Sequence, residues 1–317
     1  MFRTRTILIC VLLQYSCCLS VPYQEKKEIN DRPIIGILAQ ETTDKDLIRF
    51  GNTYIASSYV KFLESAGCRV MPVRLNLSLS EYEEIFMSIN GILFPGGAVN
   101  LQTSEFAKTA KIFYDLAIKS YDSGDYFPIW GTCLGFQLLT VLTAGQNLLS
   151  KTNSENISLP LNLTEAIQSS KMFQDFPPEI LKALSKEDLT GNFHHYGLLT
   201  QTFRNCGKLK DFFTILSTNK DRNGVDFVST IEGTKYPIYG VQWHPEVNRF
   251  QWEKDLAFPH SVNAVQLSYL MSNFFVNEAR KSFHHYPSTE KENAALIYNY
   301  NPVYVGNFSS YLQVYFF

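Results

Sequence analysis

The chain has 317 residues, 45% hydrophobic and 18% charged, which describes a globular protein long enough for one large α/β core. Its formal net charge of −2 and pI near 6.3 leave no basic footprint, so nucleic acid is excluded as an expected partner.

The N-terminus reads as an export signal over residues 1–20. Arg3 and Arg5 precede the apolar run Ile7–Leu13, and Cys18-Leu19-Ser20 offers small residues for cleavage after Ser20. The run is shorter than the roughly 20 apolar residues that span a bilayer, and no later stretch is long enough, so a soluble product without a membrane partner is expected. Asn76, Asn156, Asn162 and Asn307 each open an N-x-[ST] triplet, a modest second sign of the secretory route. Cys10, Cys17 and Cys18 lie in the signal. The remaining Cys68, Cys133 and Cys206 form no disulfide framework and leave at least one free thiol in an oxidising compartment. Cys68 follows Gly67 and reads as a small buried apolar residue, and Cys206, in FRNCGK, as a surface loop residue.

From Pro33 the pattern alternates. PIIGILA (33–39) predicts a strand, YIASSYVKFLESAG (54–67) a helix and CRVMPVRL (68–75) a strand. SLSEYEEIFMSIN (78–90) predicts a helix capped by Ser80, with Glu83 or Glu84 in its first turn. GILFPGG (91–97) follows as a buried strand, residues 104–124 as a long amphipathic helix and YFPIW (126–130) as a short strand. This order predicts a mostly parallel central sheet with helices on both faces, and sites beyond the C-terminal ends of its strands. Residues 145–195 read as loop-rich. Residues 211–219, 225–233 and 236–246 read as strands of a smaller antiparallel element, and 261–282 as an apolar helix. The Tyr- and Asn-rich tail from Phe283 has no pattern that places it, so one domain over 33–282 followed by the tail 283–317 is expected.

Within FPIWGTCLGFQLLTVLTAG (127–145) an apolar strand stops at a glycine, presents Cys133 and resumes as a helix. Strand, sharp turn and helix with a nucleophile at the tip is the elbow geometry otherwise known from G-x-S-x-G. Gly131 and Gly135 flank Cys133 at two residues on either side, which relieves crowding at the turn. The helix N-terminus then offers free N–H groups and a positive dipole end to a thiolate or a developing oxyanion. In VQWHPE, His244 at a strand end is the candidate base, and Glu246 is near enough to orient its imidazole.

GTCLGFQ (131–137), VQWHPE (241–246) and FPGG (94–97) together resemble the class I glutamine amidotransferase-like superfamily. PIIGILAQ, YIASSYVKFLESAGCRVMPVRL, GILFPGGAVNL and GNFHHYGLL extend the resemblance, from residue 33 to about 282, to the γ-glutamyl hydrolase family. The resemblance implies Cys133 as nucleophile, His244 as general base and acid, and Glu246 as the orienting third member. It implies an oxyanion hole from the backbone N–H groups of Leu134 and Gly97, and substrate contacts at Tyr54, Gly96 and His194. The implied reaction is hydrolysis of the γ-glutamyl amides of folylpoly-γ-glutamates through a thioester, with no cofactor. A homodimer and a lysosomal or extracellular destination are also implied, as are cationic or N–H-rich subsites that the sequence does not identify. His195 reads as structural, and His260, His284 and His285 as surface residues. No zinc-site spacing joins Cys133, His194 and His195, so no metal is expected. Three rivals remain: a glutaminase that feeds ammonia to a synthase, a general cysteine peptidase, and a non-catalytic binding protein. An intact thiol, histidine and glycine turn count against the last of them.

Overall fold

The computed structural model describes residues 28–317; the signal at 1–20 lies outside them. β1 (Ile34–Leu38) turns Ile34 and Leu38 toward one apolar layer and Ile35 and Ile37 toward another, because side chains alternate along a strand. It leads to β2 (Gln40–Glu41), β3 (Thr53–Ala56), α1 (Ser57–Glu64) and β4 (Arg69–Val73). The helix expected from residue 54 therefore starts three residues later. Tyr54–Ala56 are extended because they find strand partners on both sides, one of them in the C-terminal tail.

α2 (Leu79–Phe86) is capped by Ser78 rather than Ser80. The Ser78 hydroxyl accepts the Glu81 N–H while the Glu81 carboxylate accepts the Ser78 N–H, a reciprocal box in which Ser80 has no place. β5 (Ile92–Phe94), α3 (Glu105–Asp122), β6 (Ile129–Thr132) and α4 (Leu134–Ala144) follow in the expected order, and α4 ends at Gly145 in the left-handed conformation that glycine tolerates, φ +76°.

Residues 145–195 are not mainly loop. β7 (Ser150–Leu159) pairs antiparallel with β9 (Thr190–Gly197), with β8 (Asn162–Leu163) and α5 (Pro178–Leu184) between them. The polar composition that reads as loop reflects a two-stranded ribbon whose first strand is mostly half-buried or exposed. α6 (Thr200–Asn205), α7 (Gly207–Phe212), β10 (Phe213–Lys220), β11 (Asp226–Gly233), β12 (Ile238–Val241), α8 (Val247–Phe250) and α9 (Val262–Ala279) complete the expected span. The tail adds α10 (Thr289–Ala295), β13 (Val303–Tyr304) and β14 (Gln313–Phe316).

The main sheet has the order β4-β1-β5-β6-β12-β11-β10-β8. It is parallel from β4 through β12 and antiparallel from there to β8, so the expected antiparallel element continues the parallel sheet. Phe86, Phe106, Phe113 and Phe136 of α2, α3 and α4 pack on one face, and Tyr59, Phe62, Met271 and Phe275 of α1 and α9 on the other. Such layers bury both faces, as a parallel sheet requires. A second sheet, β13-β14-β3-β2, carries the tail back to the chain's beginning.

Candidate active site

Cys133 sits between β6 and α4 at φ +50° and ψ −104°, a strained conformation for a residue with a Cβ. Its backbone N–H donates to Val241 O at 2.8 Å, which ties the elbow to the end of β12. Gly131 and Gly135 are required by close approach. A Cβ at Gly131 would lie 2.7 Å from the Gly135 carbonyl carbon, and one at Gly135 would lie 2.0 Å from Phe94 O.

The glycine pair after β5 faces the same point. Gly96 N–H donates to the Tyr59 hydroxyl at 2.8 Å, and the Gln40 amide donates to Gly96 O at 2.6 Å. Gly96 therefore has no donor to spare, whereas neither Gly97 N–H nor Leu134 N–H meets an acceptor among the described residues. A Cβ at Gly97 would fall 1.6 Å from the Gln40 side-chain oxygen, so glycine is needed for this loop to come so close.

β12 delivers His244 to the other side of the thiol. Its Nδ1–H donates to Glu246 at 2.7 Å, which leaves Nε2 for other work, and its backbone N–H donates to Gly191 O at 2.9 Å. Phe193 stands edge-on to the imidazole at 5.7 Å, and Glu246 is only 2% exposed. Burial alone lowers the imidazole pKa, but the charges of the Glu246 carboxylate and the Cys133 sulfur carry it well above its ordinary value. A cation held against the sulfur is the environment that a thiol nucleophile uses. Cys68 is the contrast, since burial pushes its thiol pKa far up, where thiols are inert.

Two cavities meet over Cys133. One of about 260 Å³ includes Tyr54, His244 and Glu246, and the other, of about 540 Å³, includes Leu134, Gln137 and His194. Gly97, Glu155 and Phe193 line both, so a chain-like ligand can pass over the sulfur with a compartment on each side. Neither is lined by Lys or Arg. Among the described residues no three His, Cys, Asp or Glu side chains gather in a way that would hold a metal. Gln251, Ser310 and Tyr311 also line the smaller cavity; the last two come from the tail, and no local motif marks any of the three.

His194 is buried in the β7–β9 ribbon, its Nδ1–H donating to Tyr196 O at 2.9 Å, and desolvation lowers its pKa from 6.5 to about 4. The folded chain thus binds fewer protons here than the unfolded chain at pH values between these two. Its stability contribution is complete above about pH 6.5 and falls by about 2–3 kcal/mol on acidification to about pH 4.5. His194→Gln is expected to lose several degrees less in thermal midpoint between neutral pH and about pH 4.5 than the unsubstituted protein, as scanning calorimetry would show; equal losses refute this.

His195 is exposed, with Nε2 3.4 Å from Glu155. His260 and His285 are surface residues, but His284 is not. It is buried with Nδ1 2.7 Å from Phe86 O and Nε2 2.8 Å from Asp125, a tertiary setting that its sequence neighbours do not signal. Of the sequon asparagines, Asn76, Asn162 and Asn307 are exposed. Asn156 is half-buried, with its amide bonded to Asp255 O and Ala257 N–H.

A cysteine on a strand-to-helix elbow, beside a buried His–Glu pair at the C-terminal ends of parallel strands, defines the class of α/β hydrolases that use cysteine. The family model for Peptidase C26 matches residues 33–246. Gamma-glutamyl hydrolase of Homo sapiens is 52% identical over 90% of this chain and 90% of its own, that of Bos taurus 53% identical over the same shares, and gamma-glutamyl hydrolase 1 of Arabidopsis thaliana 36% identical over 91% and 84%. The chain belongs to the gamma-glutamyl hydrolase family, Peptidase C26. Among solved structures, the glutaminase domain of Trypanosoma brucei CTPS with bound acivicin aligns with a TM-score of 0.49 at 17% identity, over 79% of this chain and 95% of that one.

Proposed function

We propose that the chain hydrolyses γ-glutamyl amide bonds of folylpoly-γ-glutamates and related poly-γ-glutamates. The γ-glutamyl linkage is carried by the 52% identity to gamma-glutamyl hydrolase of Homo sapiens over 90% of the chain, and the chemistry by the convergence of Cys133, the His244–Glu246 pair and two free backbone N–H groups where the two cavities meet. The Cys133 thiolate attacks the γ-carbonyl carbon, and the oxyanion formed is held by the N–H groups of Gly97 and Leu134. His244 gives the Nε2 proton to the departing amine nitrogen as the C–N bond breaks, leaving a γ-glutamyl thioester. His244 then takes a proton from water, the hydroxide adds to the thioester, and collapse returns the Cys133 sulfur. Glu246 keeps Nδ1 protonated throughout. His194, neutral, and Tyr54 line opposite compartments and contact the substrate, with Gly96 shaping the loop between them.

The readout is mass spectrometry of products from a synthetic pteroyl poly-γ-glutamate at mildly acidic pH, beside its α-linked isomer and free glutamine. Shortening of the γ-linked chain alone is expected. Cleavage of the α-linked isomer at a similar rate, or deamidation of glutamine alone, overturns the proposed substrate.

The signal at residues 1–20 and the exposed sequons Asn76, Asn162 and Asn307 support a secretory route to lysosome or extracellular space; Asn156 is half-buried with its amide bonded at both ends, and the Asn162 amide donates to the Thr218 hydroxyl at 3.0 Å. Among the described residues no helix is long and apolar enough to cross a membrane. The family resemblance supports a homodimer, and the exposed stripe Val262, Val265 and Tyr269 on α9 offers it an apolar face. Light scattering separates that dimer from a monomer, for which the full 317-residue chain sets 36.3 kDa as the polypeptide mass before cleavage of the signal.

A further inference from the structure

The C-terminal tail reaches the active site by pairing with β3, the strand that bears Tyr54. β14 runs antiparallel to it, with Val314 opposite Ala56 and Phe316 opposite Tyr54. Side chains fasten the same segment: Gln251 accepts the Leu312 N–H at 3.1 Å, and the Lys61 ammonium donates to Gln313 at 2.6 Å. The chain end is held as well, since Asn52 and Thr53 N–H both donate to Phe317 O at 3.1 Å. The segment just ahead of β14 is thus tied to β3, to Lys61 of α1 and to Gln251.

In that segment lies Tyr311. Its ring packs 6.0 Å from the Tyr54 ring, and both side chains line the smaller cavity with Cys133, His244 and Glu246. The cavity poses an electrostatic problem. A γ-linked glutamyl unit keeps a free α-carboxylate a few ångströms from the carbonyl under attack, yet the carboxylates of Glu155 and Glu246 line this compartment and no Lys or Arg does. His244 and the Gly97 N–H face the reacting carbonyl, so the side-chain donors left for the α-carboxylate are hydroxyls and an amide. A phenol buried here stays protonated and keeps its donor, and Tyr54 is pushed up to about 12 by burial. Hydrogen bonds from neutral donors to a carboxylate are charge-assisted, and in a water-poor site they can replace an ion pair.

We propose that Tyr311, carried into the cleft by the C-terminal strand, binds substrate directly, donating with Tyr54 a hydrogen bond to the α-carboxylate of the γ-glutamyl unit that acylates Cys133. This rests on the proposed γ-glutamyl substrate and assigns the tail a part in selecting it. A site built to hydrogen-bond a carboxylate rejects an analogue that lacks one, because its buried donors are then mispaired.

The test compares the unsubstituted protein, Tyr311→Phe and Tyr315→Phe on two substrates. One is a pteroyl poly-γ-glutamate, and the other carries a carboxamide in place of the α-carboxylate at the scissile unit. Tyr311→Phe is expected to lose about tenfold to a hundredfold in kcat/KM on the carboxylate substrate, mostly through KM, and much less on the carboxamide, so that discrimination between the two collapses. Its thermal midpoint and the rate at which iodoacetamide alkylates Cys133 should stay near those of the unsubstituted protein. Tyr315→Phe, whose side chain lies outside the cavity, should change neither activity nor discrimination. Full activity in Tyr311→Phe, or an equal loss on both substrates, overturns the proposal. If the unsubstituted protein cuts neither γ-linked substrate, it is the proposed substrate class that fails instead.

Discussion

Cys133→Ala is expected to lower kcat/KM on a γ-linked substrate by at least about four orders of magnitude, because removing the nucleophile of a triad leaves only binding and oxyanion stabilisation. Stability should change little, since alanine keeps the Cβ and therefore the strained backbone at φ +50°. Cys133→Gly separates the two effects. It should be equally inactive yet more stable than Cys133→Ala by about 1 kcal/mol, as relief of a strain of order 1–3 kcal/mol outweighs the added freedom of the unfolded chain. In both variants His244 loses the sulfur that helps raise its pKa, so its titration should move down. Initial rates, denaturant melts and histidine titration by NMR read these outcomes. If Cys133→Ala keeps more than about a hundredth of the activity, the nucleophile lies elsewhere and the elbow reading is wrong.

The second large effect is expected from Gly135→Ala. The added methyl would lie 2.0 Å from Phe94 O, 2.7 Å from its carbonyl carbon and 2.8 Å from its Cβ. Those neighbours are mostly backbone, so no rotamer change relieves the clash; either β5 or the first turn of α4 must move. A loss of about 3 kcal/mol is expected, at the upper end for overpacking. Activity should fall as well, because the displaced segment leads from Phe94 to the free N–H of Gly97. Gly207→Ala is the matched control, since a Cβ there meets nothing within 4 Å. If Gly135→Ala melts with the control and keeps its rate, close approach is not why glycine stands at 135.

What was legible in the sequence was local. The elbow could be read because strand, glycines, cysteine and helix are contiguous, and the His244–Glu246 pair because its members are two positions apart with buried partners. Ile34–Leu38 and Ile92–Phe94 read as strands because both faces are covered and the runs are apolar throughout. The N-cap of α2 went to Ser78 and not Ser80 because Glu81 answers only the former, a choice that geometry makes between two serines two positions apart.

The sequence by itself determined the alternating α/β order, the mostly parallel sheet, the cysteine at the elbow and the hydrogen-bonded His244–Glu246 pair. Tertiary structure decided the rest. Tyr54–Ala56 have helical spacing but become a strand, because a tail segment and β2 satisfy their backbone groups in a sheet. β7 and β9 look like loop until they pair with each other. Tyr311 carries no motif, and the contact between Lys61 and Gln313 that helps place it spans 252 positions. Periodicity reports a residue's own element and immediate neighbours. Backbone hydrogen bonds between distant strands are made by groups that every residue has, so the side-chain pattern does not encode which strands will meet.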